Sequence, residues 1–398
     1  MRLPLRPRRV APLAAIAAPL LAPCTPPALH APFVGAAHAQ ATTSALATPP
    51  VDAARERARQ RARAARVTIT RDRWGVAHVR GRSDADAVFG MIYAQAEDDF
   101  PRIERNYLVS LGRLAEVEGE REVWRDLRQK LWVDPDALRA QYAASPAPMR
   151  ALMDAWADGL NFFLATHPTV RPRLLTRFEP WMALSFTEGS IGGDVESVNL
   201  GALARFYGPR ATTVGADAAA PATHDADDAA AAGDGAAPIP EPAGSNGFAV
   251  APARTANGRA LLLINPHTSF YFRPELHMTS DEGLDAYGAA TWGQFFVYQG
   301  FNRRVGWMHT SNSADVVDEF LETVGDTATA RPTYRFGAES RALRVRTIEV
   351  PYRLPSGGTA RRVVTAYYTH RGPVVRAEGG RWVSVRLMWT PIPALQQS

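Results

Sequence analysis

The stretch Gly244-Ser245-Asn246-Gly247-Phe248-Ala249-Val250-Ala251-Pro252 lies where the composition of the chain changes. Residues 209–243 are mostly Ala, Asp, Gly and Pro, and such a segment buries too little apolar surface to offset the entropy of ordering it. After Ser245 the alternation of a buried strand begins at once. If the chain were cut before Ser245, this serine would carry its own α-amine, a self-contained pair of nucleophile and base. An ordinary interdomain linker is the alternative reading of residues 209–243.

The N-terminal residues predict export. Residues 1–39 combine four early arginines, an apolar run from Val10 to Ala22, and the small-residue sequence Ala37-His38-Ala39. This is the layout of a secretory signal peptide cleaved after Ala39, so we expect a periplasmic or secreted protein. The apolar run is too short to be a membrane anchor. Residues 40–66 are predicted to be a disordered Ala/Arg tail, with a frayed helix as the alternative over 52–66.

Composition limits the possible partners. The 398 residues carry a formal net charge of +5 and a single cysteine, Cys24. Because Cys24 lies within the predicted signal peptide, the exported protein would have no disulfide. The sequence has no arginine-rich patch interleaved with aromatic residues, which argues against nucleic acid as a partner.

Residues 67–208 are predicted to be mainly helical. Ser83 precedes two acids in the manner of an N-cap, and apolar residues follow it at helical spacing. A second amphipathic helix is predicted over 148–166, and a third over 196–207.

The chain after Ser245 is predicted to be a sheet. Two apolar runs flank Asn257-Gly258, the dipeptide most typical of a β-hairpin turn. An unbroken register around this turn would place Phe248 opposite His267 and Ser245 opposite Phe270, so His267 is expected near Ser245. Further strands are predicted over 290–298, 304–309, 314–323, 342–352 and 361–369. Asp315-Val316-Val317-Asp318 also sets two carboxylates around backbone carbonyls, a weak calcium signal.

Together these motifs resemble the penicillin acylase family of N-terminal-nucleophile hydrolases, in the branch of the acyl-homoserine-lactone and aculeacin acylases. The resemblance begins near Val67 and excludes the spacer. Its matching residues are Trp74-Gly75-Val76-Ala77-His78-Val79, Ser83-Asp84-Ala85-Asp86-Ala87-Val88-Phe89-Gly90, Tyr93-Ala94-Gln95-Ala96-Glu97-Asp98, Gly112-Arg113-Leu114-Ala115-Glu116, Gly244-Ser245-Asn246 and Asn265-Pro266-His267.

The resemblance implies a precursor that cuts itself between Gly244 and Ser245. Removal of the spacer, residues 209–244, would leave an α-subunit and a β-subunit, and residues 245–398 would be the N-terminal part of the latter. Ser245 would attack the amide carbonyl of a small N-acyl substrate, with its α-amine acting as base through a water. His267 would orient this nucleophile, and the N–H of Ser311 would help to form the oxyanion hole.

The resemblance also implies a metal, a fold and a substrate class. Calcium would be bound by Glu196, Asp315, the Val317 carbonyl and Asp318, and no organic cofactor is expected. The implied fold is α+β, an αββα sandwich that is incomplete in this chain because the family's β-subunit continues for several hundred residues. Phe270 and Gln299 are the candidate substrate-binding residues. Gln299 occupies a position where penicillin G acylases place a pocket phenylalanine, which argues against assuming phenylacetyl specificity. The substrate class that the resemblance implies is a penicillin amide, an N-acyl homoserine lactone or a lipopeptide.

Two alternatives remain at this point. The chain could be a truncated, non-catalytic acylase remnant. A conventional Ser–His–Asp hydrolase is poorly supported, because no Gly-x-Ser-x-Gly motif lies between a strand and a helix.

Overall fold

The computed structural model describes residues 52–186, 195–208, 244–268, 271–310, 317–325, 329 and 331–387. The predicted signal peptide and nearly all of the predicted spacer lie outside these residues, as do Phe270, Ser311 and Asp315. The helices are α1 (Ala53–Ala64), α2 (Asp84–Ser110), α3 (Ala115–Glu118), α4 (Val123–Trp132), α5 (Pro135–Ala144), α6 (Ala147–Thr166) and α7 (Leu200–Tyr207). The strands are β1 (Val67–Arg71), β2 (Ala77–Gly81), β3 (Ser245–Val250), β4 (Leu261–Pro266), β5 (Glu275–Ser280), β6 (Asp285–Ala289), β7 (Gln299–Phe301), β8 (Gly306–Trp307), β9 (Val317–Glu322), β10 (Thr333–Phe336), β11 (Glu339–Ala342), β12 (Arg344–Arg353), β13 (Thr359–Tyr368), β14 (Val374–Glu378) and β15 (Arg381–Leu387).

Of the two readings of residues 52–66, the helix is the one observed: residues 53–64 form α1, and a disordered tail is wrong there. Asp52 caps this helix by accepting from the N–H groups of Ala54 and Arg55. Arg59 then reaches the buried Asp158 of α6, and Arg177 pairs with Glu56 at 2.9 Å. Composition alone could not decide between helix and tail, because the helix is held by ion pairs to residues far along the chain.

Helices α2 and α6 form the centre of the first hydrophobic core. The side chain of Ser83 accepts from the N–H of Asp86, which confirms the predicted N-cap. The two helices pack closely because α6 has Gly159 at the contact, where a Cβ would lie 2.4 Å from the side chain of Ile92. Trp156, Leu160 and other apolar side chains of α6 are buried against α2.

One sheet joins the parts of the chain before and after Ser245. Its six strands have the order β1-β2-β5-β6-β7-β8. All neighbours in it are antiparallel except β2 and β5, which are parallel, with His78 opposite His277. The described residues therefore form an α+β fold, and its arrangement as an αββα sandwich stays a prediction.

The strand predicted over 290–298 is a buried loop. It packs under α2 and α6, and its backbone is bound by side chains of those helices. Gln95 both accepts from the N–H of Gly293 (2.9 Å) and donates to the carbonyl of Gln294 (2.8 Å). The carbonyl of Gly293 accepts from the Tyr107 hydroxyl and from the Trp156 indole, at 3.1 and 2.8 Å. These contacts satisfy loop backbone that has no strand partner.

A second hydrophobic core lies around the ribbon β12–β13 and the sheet β14-β15-β9. Helices α4 and α7 pack against these strands. Val195 and Val198, on either side of Glu196, belong to this core, and Val317 packs against it.

The hairpin β3–β4 is exposed, so the expectation of a buried strand after Ser245 is wrong. On one face of the hairpin, Phe248 lies opposite Leu263 and Val250 opposite Leu261. All four are exposed, and Phe248 has 61% of its surface accessible. The described residues thus present an unpaired apolar face beside Ser245.

Candidate active site

The hairpin brings His267 to Ser245, but in a register shifted by four residues from the predicted one. Ser245 pairs with Pro266, and Phe248 with Leu263 rather than with His267. The shift arises because Pro252–Arg254 form a single helical turn and the chain reverses over residues 255–258. Gly258, at φ +66°, still occupies the turn. The connection is therefore a wide loop and not the tight two-residue turn that Asn257-Gly258 predicts.

The hydroxyl of Ser245 lies against the peptide bond that precedes it. Its Oγ donates to the carbonyl of Gly244 at 2.8 Å. The backbone N–H of His267 points to the same two atoms, at 3.2 Å from the Gly244 oxygen and 3.4 Å from Ser245 Oγ. The serine hydroxyl and a backbone N–H therefore both lie at the oxygen of one carbonyl, next to the carbon that acyl transfer would require Oγ to attack.

The imidazole of His267 contacts two asparagines and makes no hydrogen bond to Ser245 Oγ. Its Nε2 lies 3.2 Å from Asn265 Oδ1 and 3.2 Å from Asn246 Nδ2. Its Nδ1 is buried and has no hydrogen-bond partner among the described residues. In the intact chain, the hydrogen bond from His267 to Ser245 thus comes from its backbone N–H, while Asn246 and Asn265 contact the ring.

Thr310 binds the backbone of Ser245. Its Oγ1 accepts from the N–H of Ser245 at 3.1 Å and donates to the carbonyl of Ser245 at 3.0 Å. Sequence reasoning missed this residue because 65 positions separate the two. The only available signal was its place next to Ser311, the predicted oxyanion donor, which lies outside the described residues.

Gln299 supports the segment that carries Thr310. The side chain is buried, and its Nε2 donates to the carbonyl of His309 at 3.2 Å. Its Oε1 is buried as well and accepts from no described residue. Its predicted contact with substrate stays a prediction, as does that of Phe270, which lies outside the described residues.

Two glycines permit this geometry. Gly244 has φ +111°, a conformation that L-residues with a side chain rarely adopt, although a Cβ there would meet no atom within 4 Å. At Gly247 the constraint is space and not backbone conformation, because a Cβ there would lie 1.9 Å from the sulfur of Met308. Met308 thus packs on the backbone of β3 where a side chain would exclude it.

The predicted calcium ligands are only partly described. Glu196 accepts from Gln129 Nε2 at 3.0 Å, and Asp318 lies on β9 opposite Arg386. Val195, Val198 and Val317 share one hydrophobic core, so the segments carrying Glu196 and the Val317 carbonyl lie in the same region. Within the described ranges no three His, Cys, Asp or Glu side chains converge on one point, and Asp315 lies outside them.

With this geometry in place, comparison with known proteins identifies the class. The profile of the penicillin amidase family matches residues 66–397, and the chain belongs to that family of amide-hydrolysing enzymes. In the part of the chain that the structure describes, no helix is long and apolar enough to cross a bilayer.

Several curated relatives are individually similar to the chain. An acyl-homoserine lactone acylase (PvdQ) of Pseudomonas fluorescens is 28% identical over 339 residues, which cover 79% of this chain and 41% of the relative. The penicillin acylase 2 proenzyme of a Pseudomonas species is 28% identical, covering 78% of this chain and 44% of the relative. The aculeacin-A acylase of Actinoplanes utahensis is 27% identical, at 82% and 42%.

The chain spans less than half the length of these relatives. Among solved structures, a thermostable penicillin G acylase from Alcaligenes faecalis has a TM-score of 0.30 at 22% identity, and the match covers 36% of this chain and 26% of that one.

Proposed function

We propose that this protein is an exported acylase that cuts its own chain before Ser245 and then uses Ser245 to remove an acyl group from an N-acylated small molecule. The observation that carries the proposal is the arrangement at the Gly244–Ser245 bond. The nucleophilic Oγ lies 2.8 Å from the oxygen of the preceding carbonyl, and the N–H of His267 points to the same oxygen.

Self-cleavage follows from this arrangement in two steps. Ser245 Oγ attacks the carbonyl carbon of Gly244, and the N–H of His267 stabilises the negative charge that develops on the carbonyl oxygen. The C–N bond breaks, the hydroxyl proton passes to the Ser245 nitrogen, and an ester joins Gly244 to Oγ. Water then hydrolyses this ester, which leaves the carboxylate of Gly244 and a free α-amine on Ser245.

The freed α-amine becomes the base for substrate turnover. It accepts the proton from Ser245 Oγ as Oγ attacks the substrate amide, and it returns a proton to the leaving amine. Thr310 Oγ1, which contacts the Ser245 nitrogen at 3.1 Å, would orient this amine. Ser311 is proposed to donate its backbone N–H to the oxyanion. Water then hydrolyses the acyl-enzyme and releases the acid.

The substrate class is proposed from the relatives. Their names specify an acyl-homoserine lactone, a penicillin and aculeacin A as the molecules acted on. The shared feature proposed for this chain is an acyl group on an amide nitrogen. An N-acyl homoserine lactone, a penicillin amide and a lipopeptide are therefore the substrates to assay.

Calcium is proposed as a structural ion held by Glu196, Asp315, the carbonyl of Val317 and Asp318. Carboxylate and carbonyl oxygens are the ligands that this cation prefers. Support comes from the shared core around Val195, Val198 and Val317, which places both segments in one region. The ion would join the two subunits after cleavage, and its removal by EDTA should lower the melting temperature reversibly.

The test uses the protein expressed from its complete gene. We expect a processed chain whose first residue, by Edman sequencing, is Ser245, together with release of the acid from at least one of the three substrates. Ser245→Ala should remain uncut and inactive, whereas Ser356→Ala, at an exposed turn, should behave like the wild type. An uncut but active protein would refute the proposal. An uncut and inactive wild-type protein would favour the non-catalytic remnant.

A further inference from the structure

Two histidines from different parts of the chain face each other across the parallel strands β2 and β5. His78 and His277 occupy opposite positions in the register. Their Nδ1 atoms are 3.2 Å apart, and the rings are nearly perpendicular, at 88°. The pair plays no part in the chemistry proposed for Ser245.

Each ring has a carboxylate at its other nitrogen. His277 Nε2 lies 3.0 Å from Asp285 Oδ1, and His78 Nε2 lies 3.7 Å from Asp72 Oδ2. Asp72 is itself fixed, because it accepts from the N–H groups of Trp74 and Val76 at 2.8 and 3.0 Å. The Asp285 carboxylate favours a proton on Nε2 of His277 and leaves the lone pair on its Nδ1, whereas Asp72, beyond hydrogen-bond distance, places a negative charge near Nε2 of His78.

Without an ion, the Nδ1–H of His78 can donate to Nδ1 of His277, whereas with the protons on both Nε2 atoms the two Nδ1 lone pairs face each other and can share one cation. Two nitrogens bound at about 2.1 Å to one zinc ion, at a tetrahedral angle, are about 3.4 Å apart. The observed 3.2 Å is close to this separation, so one metal ion can take the place of the proton between the rings with little movement of either strand. Imidazole nitrogen is also a preferred ligand of zinc, copper and nickel.

We propose that His78 and His277 form a binding site for a divalent transition-metal ion, with Zn²⁺ as the reference ion. Each supplies Nδ1, and Asp72 and Asp285 orient the rings from behind. Across the described ranges no third His, Cys, Asp or Glu joins the pair, and the proposal takes water as the remaining ligands. Water has access, since the side chains of His78 and His277 keep 35% and 28% of their surface exposed.

The position of the site gives it a structural consequence. His78 precedes Ser245 in the chain and His277 follows it, so the ion would link the two segments on either side of the Gly244–Ser245 bond. The link does not depend on cleavage at that bond, and it uses none of the proposed calcium ligands. Failure of the proposed acylase activity therefore leaves this inference untouched.

The test measures Zn²⁺ binding by the intact protein after EDTA treatment and return to excess Ca²⁺, which fills any oxygen-ligand site first. Isothermal titration calorimetry should show one Zn²⁺ per chain, and Co²⁺ should give the visible absorption of a nitrogen-ligated site. We expect His78→Gln and His277→Gln to abolish this binding and the accompanying rise in melting temperature. Asp285→Asn should weaken binding by about 10-fold or more while leaving the stoichiometry unchanged.

His167→Gln is the matched control, because His167 lies at the end of α6 with its ring stacked on Phe163. It should bind Zn²⁺ like the wild type. The inference would be overturned if the wild type bound no Zn²⁺, or if both variants of the pair bound it as the wild type does. The inference would also be overturned if no Zn²⁺ bound and the melting temperature depended on pH in the wild type but not in His78→Gln or His277→Gln. That result would show that a proton is shared between the rings.

Discussion

Gly244→Ala tests whether the backbone conformation before Ser245 drives self-cleavage. Gly244 has φ +111°, and a Cβ there would meet no atom within 4 Å, so the substitution acts on the backbone alone. Holding a non-glycine residue in such a conformation costs about 1–3 kcal/mol. We expect the alanine to relax to negative φ and to move the Gly244 carbonyl away from Ser245 Oγ and the N–H of His267.

If that cost is carried into the transition state of cleavage, processing should slow by roughly 5- to 150-fold. The assay is a time course of precursor disappearance on denaturing gels, after synthesis from the complete gene in a cell-free system. Gly258→Ala is the matched control, since Gly258 also has positive φ (+66°) and open space around its Cβ but lies at the far end of the hairpin. Cleavage of Gly244→Ala at or above the wild-type rate would refute the reasoning, and so would an equal loss in both variants.

Three further predictions concern the surroundings of the site and the stability of the chain. Gly247→Ala should displace Met308 from β3 at an overpacking cost of about 1–3 kcal/mol, and should therefore slow processing. The double variant Gly247→Ala/Met308→Ala should recover the processing rate. A double variant that stays slow would contradict the packing argument. Burial raises the pKa of the Asp126 carboxyl to about 7, from a usual value of 3.8. Because the folded state then binds this proton more tightly than the unfolded state, the contribution of Asp126 is fully present below about pH 4 and is lost as pH rises towards 7. The loss is on the order of 4 kcal/mol, so Asp126→Asn should flatten the slope of unfolding free energy against pH in urea titrations, and an unchanged slope would contradict this. The exposed apolar face of β3–β4 should cause the chain of residues 52–398 to self-associate. Sedimentation should show that Leu263→Lys reduces this association. Leu321→Lys, at an exposed leucine on β9, is the control and should reduce it less.

The sequence predicted which segments meet at the site better than it predicted how they meet. A strand after Ser245 and a return strand ending near His267 follow from two apolar runs around Asn257-Gly258, and both are present. The register was wrong because the turn signal does not report the helical turn at Pro252–Arg254. His267 is still close to Ser245. The predicted register placed it opposite Phe248, whereas in the observed register it follows Pro266, the residue paired with Ser245.

Local sequence patterns did not predict the contacts between residues that are distant in the sequence. Thr310 binds the Ser245 backbone from 65 residues away, and no local spacing signals such a contact. The run from Ala290 to Tyr298 has the aromatic content of a strand, yet it forms a loop because Gln95, Tyr107 and Trp156 satisfy its backbone. The same limit applies to α1, whose ion-pair partners Asp158 and Arg177 lie 99 and 121 residues further along the chain.

This loop also bears on what would hold the two proposed subunits together. A cut before Ser245 removes one covalent connection, but the loop at Trp292–Gln294 lies under α2 and α6, with its backbone bound by four side chains from those helices. Gly293, at φ +98°, permits this approach, since a Cβ there would lie 2.8 Å from the ring of Tyr107. The parallel pairing of β2 with β5 adds a backbone ladder between the same two segments. Because these contacts are buried in the first hydrophobic core and do not involve the Gly244–Ser245 bond, cleavage alone gives no reason for the halves to separate.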